Sequence, residues 1–77
     1  MRKARNGGRY VVCIKNRGYR VSLVLRRVYK VLPDPEAEHH GLLRVVDESG
    51  EDYLYPRSLF LALELPRSAE RALAQAT

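Results

Sequence analysis

The sequence predicts an all-β domain closed into a small five-stranded barrel, and three observations predict it. Short runs rich in β-branched and aromatic residues recur along the chain. Clusters of Gly, Pro, Asn, Asp and Ser separate them, which is the punctuation of turns between strands. At 77 residues the chain fits one domain, and closure of a single sheet is the economical way for so small a domain to limit exposed edges. The expected organisation is a flexible basic arm over 1–8, the barrel over 9–65, and a short helical or disordered tail over 66–77.

Residues 1–8 are polar and basic, end in Gly7-Gly8 and show no periodicity that buries a face. Arg9 to Asn16 reads as a first strand, and Asn16-Arg17-Gly18 offers turn chemistry. From Tyr19 the odd positions, Tyr19, Val21, Leu23 and Leu25, alternate with Arg20, Ser22 and Arg26. Continued to Val31, this alternation would put Arg27 among apolar side chains, where an unpaired charge is costly. A bend near Arg26-Arg27 is therefore expected, with an irregular excursion over Tyr19–Leu25 before it and a strand over Val28–Leu32 after it. Pro33-Asp34-Pro35-Glu36 ends that strand and opens a loop to His39-His40-Gly41. Leu42 to Val46 and Tyr53 to Tyr55 read as a hairpin whose turn, 47–52, lets Gly50 take the left-handed conformation. Pro56-Arg57-Ser58 predicts a turn of 3₁₀ helix, Leu59–Leu65 a last strand stopped by Pro66, and Arg67 to Ala76 a helix that frays unless docked.

The residues Val11-Val12-Cys13-Ile14, Asn16, Gly18-Tyr19, Leu23, Tyr29-Lys30-Val31, the run Val45 to Pro56 and Phe60 resemble a group of small, largely uncharacterised bacterial and phage proteins. The most specific part is Asp47-Glu48-Ser49-Gly50-Glu51-Asp52-Tyr53-Leu54-Tyr55-Pro56. This resemblance covers roughly Arg9 to Leu65 and implies a Src-homology-3-like barrel. It implies no catalytic residues. The peptide-binding branch of that fold uses a groove that normally includes a tryptophan, and this chain has none. Tyr53, Tyr55 and Pro56 match that groove only loosely.

A chain this short buries a thin core, which leaves little room for the dry pocket of an enzyme. No nucleophile, base and orienter assemble from the sequence, so no catalytic residue and no cofactor are expected. His39-His40 beside Glu36 and Glu38 lack the third His or the Cys that would complete a metal site. Asp47, Glu48, Glu51 and Asp52 lack the spacing of a calcium loop and read as a charged surface. Cys13, the single cysteine, cannot form an internal disulfide and reads as a small strand-interior hydrophobe. With no apolar run long enough for a membrane span, a cytoplasmic monomer is the expectation.

Charge is the most informative feature. The formal net charge is +5, yet residues 1–30 carry Arg2, Lys3, Arg5, Arg9, Lys15, Arg17, Arg20, Arg26, Arg27 and Lys30 and no acidic residue. The remainder is net acidic. Such asymmetry points to a polyanionic partner, or to self-association between unlike faces. The expected nucleic-acid contacts are Arg2, Lys3, Arg5, Arg9, Lys15, Arg17, Arg20 and Arg26 to phosphate, with Tyr19 stacking on a base of DNA or RNA. Tyr29 and Tyr53 are expected in the core. The alternative partner is a protein, whose extended segment pairs with a sheet edge or with the excursion.

Overall fold

The computed structural model describes residues 9–75, so the basic arm, with Arg2, Lys3 and Arg5, lies outside the described residues. Five strands form one antiparallel sheet: β1 (Arg9–Cys13), β2 (Val28–Leu32), β3 (Leu42–Val46), β4 (Asp52–Pro56) and β5 (Phe60–Leu63). Their spatial order is β4-β3-β2-β1-β5. Strands β2 to β4 follow one another as a meander, while β5 returns to the far side of β1 and pairs Cys13 with Phe60 and Tyr10 with Leu63. Two short helices complete the described chain, α1 (Pro35–His39) and α2 (Arg67–Gln75).

The expected closure is not present. β4 and β5 are the two edges of the sheet, and no ladder joins them among the described residues. The reason lies in the connection between them. Pro56 ends β4 without an N–H to donate, and a 3₁₀ turn, η1 (Arg57–Leu59), then carries the chain away. The Phe60 N–H bonds back to the Arg57 carbonyl rather than to a strand.

The core follows from alternation along the strands. Val11 and Cys13 of β1, Tyr29 and Val31 of β2, Leu43 and Val45 of β3, Tyr55 of β4 and Phe60 of β5 are buried together with Leu23 and Leu59. Registers Val11↔Tyr29, Val31↔Val45 and Leu43↔Tyr55 place these side chains on one face. Each aliphatic side chain buried this fully contributes about 1.5–3 kcal/mol. Cys13 is a buried free thiol, and burial pushes its pKa up, the direction of an inert rather than a reactive sulfur.

Several local expectations need correction. The segment after Pro33 is not simply a loop: Asp34 caps α1 through the Ala37 N–H at 3.1 Å, and Pro35 occupies the first turn. β1 stops at Cys13 and β5 spans only Phe60–Leu63, because Ile14 N and Lys15 N both converge on the Leu59 carbonyl, at 2.8 and 3.2 Å, where the ladder bends. Tyr53 is not in the core. It is 50% exposed at the start of edge strand β4, and its hydroxyl donates to Glu51. The tail forms α2, but none of its residues is buried. Among the described residues, no helix is long and apolar enough to cross a membrane.

Candidate functional site

Between β1 and β2 the chain makes the excursion 14–27, a folded-back irregular hairpin. At its base, Cys13 N donates to the Arg27 carbonyl (3.0 Å) and Arg26 N donates to the Cys13 carbonyl (2.7 Å). Midway, the Asn16 amide donates to the Leu23 carbonyl at 2.9 Å. At its far end, Tyr19 N donates to the Asn16 carbonyl, while the Tyr19 carbonyl accepts from Ser22 N and Leu23 N. Gly18 supplies the left-handed residue this turn requires, with φ +87°. The second arm ends in the expected bend, built in an unexpected way. Arg26 itself is left-handed, φ 66°, a conformation that costs an L-residue about 1–2 kcal/mol.

Two attachments hold the excursion on the sheet. Leu23 is fully buried in the core. The second is a polar clasp from the tip of the β3–β4 hairpin: Glu48 N donates to the Ser22 carbonyl at 3.0 Å, and the Glu48 carboxylate accepts from the Tyr29 hydroxyl at 2.5 Å. The same hydroxyl accepts from Val24 N at 2.7 Å. Burial, and then the neighbouring Glu48 carboxylate, push the Tyr29 pKa up to about 12.

Beside the clasp, Asp47 is buried, so the hairpin tip is not wholly the charged surface that its composition suggests. Its carboxylate accepts from the Tyr55 hydroxyl (2.5 Å) and from the backbone N–H (2.9 Å) and hydroxyl (2.6 Å) of Ser49. Burial alone would raise the Asp47 pKa; the bonds from Ser49 and Tyr55 more than offset it, and the carboxyl sits below its ordinary value. Tyr55 in turn packs edge-on against Tyr19, with ring centroids 5.2 Å apart.

These attachments sort the sequence-predicted residues into distinct groups. Arg9 lies at the opposite end of β1 from the excursion and pairs with Glu38 at 2.6 Å. Arg27 is held by both oxygens of Glu48 at 3.2 Å. Arg44 bridges Asp34 and Asp52 at 2.8 and 3.1 Å, and the bonds from Ala37 N and Arg44 hold the Asp34 carboxyl below its usual range. Among the described residues, Lys15, Arg17, Arg20 and Arg26 take no part in an ion pair. All are exposed, and all belong to the excursion. Lys30, Arg57, Arg67 and Arg71 also lack a carboxylate partner among the described residues, but they lie on β2, η1 and α2.

Of the tyrosines, Tyr10, Tyr29 and Tyr55 are buried and offer no ring face to a base. Tyr19 is 37% exposed and lies between Arg17 and Arg20 in the chain. Sequence reasoning missed the apolar surface of this same segment. Val21 is 93% exposed, and Ile14, Val24 and Leu25 are exposed too. Val21 and Leu25 share the odd positions with buried Leu23, but the irregular excursion breaks the alternation and leaves them outward. Gly18 and the Arg26-Arg27 pair were the signals of that break.

His39 and His40 stack edge-on, with centroids 5.5 Å apart, on the exposed end of α1, where the His40 ring nitrogen Nδ1 meets the Glu36 carbonyl. Among the described residues, no group of three or more His, Cys, Asp or Glu is placed to hold a metal ion. Comparison with protein-family models, curated proteins and solved structures gives no match.

Proposed function

We propose that this chain is a Src-homology-3-like binding module of the cytoplasm that takes nucleic acid on the excursion 14–27. The strand order, with a 3₁₀ turn between β4 and β5, supports the fold reading. One observation carries the functional reading: the acidic residues neutralise Arg9, Arg27 and Arg44, yet leave Lys15, Arg17, Arg20 and Arg26 together on one tethered segment with no carboxylate partner among the described residues. Clustered cations bind phosphates by releasing condensed counterions. Tyr19, exposed between Arg17 and Arg20 in the chain, supports stacking on an unpaired base. No catalytic role is part of this reading.

The test is anisotropy of a labelled mixed-sequence oligonucleotide titrated at several salt concentrations. If the four cations each meet a phosphate, log K falls against log salt with a slope of about −3. Replacing all four by glutamine flattens that slope and removes binding, whereas Arg27→Gln leaves both nearly intact. No binding at low ionic strength rejects the reading. A protein partner remains the second reading because Val21, Val24 and Leu25 expose apolar surface beside the cations, which phosphates do not use and an extended polypeptide does. Nuclease-insensitive capture of a partner that Val21→Asp abolishes, with no oligonucleotide binding, selects it.

A further inference from the structure

Among the described residues, the backbone takes a left-handed conformation at four positions, and three of them are Gly18, Gly41 and Gly50. The fourth is Arg26. Among the described residues, glycine occupies every other such position, as conformational sterics favour, so arginine at 26 is the exception. Nothing in the described structure uses that side chain for folding. It is exposed, takes no part in an ion pair, and the bond that places the residue, Arg26 N to the Cys13 carbonyl at 2.7 Å, is one glycine would make equally well. Its neighbour Arg27 occupies both oxygens of Glu48, the carboxylate that ties the excursion to the hairpin tip. Arg26 is thus held at the hydrogen-bonded base of the excursion beside the end of β1, with its cation unspent. Backbone strain of this kind clusters at functional positions.

From this we propose that Arg26 is the anchor of the polyanion site, its planar guanidinium taking one phosphate through two parallel N–H bonds, while Lys15, Arg17 and Arg20 add diffuse attraction. The proposal rests on the nucleic-acid reading above. It assigns unequal roles to cations that composition treats alike. A fork bound bidentately gives directional binding that diffuse attraction does not.

The experiment compares wild type, Arg26→Gly, Arg26→Lys, Arg17→Ala and Arg20→Ala on the full chain, using the labelled oligonucleotide and thermal melts. Arg26→Gly is expected to raise Tm by roughly 2–6 °C, as relief of the left-handed strain exceeds the added chain entropy, while weakening binding about tenfold or more. Arg26→Lys keeps the charge but loses the fork, and falls between. Arg17→Ala and Arg20→Ala each weaken binding only about threefold, with unchanged Tm. If wild type binds and Arg26→Gly loses no more than Arg17→Ala, the anchor is overturned while the nucleic-acid reading stands. A fall in Tm for Arg26→Gly also overturns it, because arginine would then serve folding. A wild-type chain that binds no oligonucleotide removes both.

Discussion

The excursion 14–27 and the β3–β4 hairpin touch each other, yet they treat charge in opposite ways. In the hairpin, Asp47 and Glu48 take hydrogen bonds from Tyr55, Ser49, Tyr29 and Arg27, and Asp52 pairs with Arg44. In the excursion, Lys15, Arg17, Arg20 and Arg26 point to solvent unpaired among the described residues, next to exposed Val21 and Leu25. Among the described residues, Asp47, Glu48 and Asp52 serve the framework, while Lys15, Arg17, Arg20 and Arg26 are left on display. Net charge alone does not distinguish these uses, because an arginine bound to Glu48 and one bound to nothing count the same.

The strongest way to break the contrast is to detach the excursion. Leu23→Ala removes its apolar anchor from the core and is expected to destabilise the protein by about 2–5 kcal/mol in urea unfolding. A cost under about 1 kcal/mol would mean that the polar clasp alone holds the segment.

Asp47→Ala acts on the hairpin side. It strands the Tyr55 hydroxyl and the Ser49 N–H near the core, so about 2–3 kcal/mol is expected. The same residue sets an acid limit. Its folded pKa is depressed, as is that of Asp34, so the stability each contributes is present above the unfolded value of about 3.9 and is lost as pH falls through the lower folded value. An unfolding series from pH 6 down to pH 2 in the Asp47→Asn variant should show a shallower decline than wild type.

Glu48→Ala gives the smallest effect of the three, about 1 kcal/mol, because Glu48 lies at the exposed hairpin tip, where water can take its place as acceptor for the Tyr29 hydroxyl, and the Arg27 pair is exposed. Its signature is local: faster amide exchange at Val24 with little change at Val31. Uniform acceleration across the sheet would show that the clasp supports the whole domain rather than the excursion.

The strands were legible where composition and alternation agree. Val28–Leu32 and the turn at Gly50 read directly because β-branched runs end at residues with distinctive turn chemistry. Tyr53 was misplaced because alternation gives its face correctly, the face of Val45, but not its position at the open end of an edge strand. α1 was hidden by its prolines, which signal a break in a strand yet also suit the first turn of a helix after Asp34. The candidate cations were visible as a list. Which of them were neutralised was not, since Arg9–Glu38 and Arg27–Glu48 join residues far apart in the chain, and only the folded sheet brings them together.

The pairing of β1 with β5 carries a kinetic consequence. Cys13 meets Phe60 only after β2, β3 and β4 have intervened in the chain, and such distant partners meet only after a large loop has been closed, which slows folding of β-rich domains to the millisecond-to-second range. The meander β2–β3–β4 needs only short closures and can assemble first. Until residue 63 is available, β1 keeps one unsatisfied backbone edge, and the nascent chain passes through an interval in which that strand is open to foreign partners.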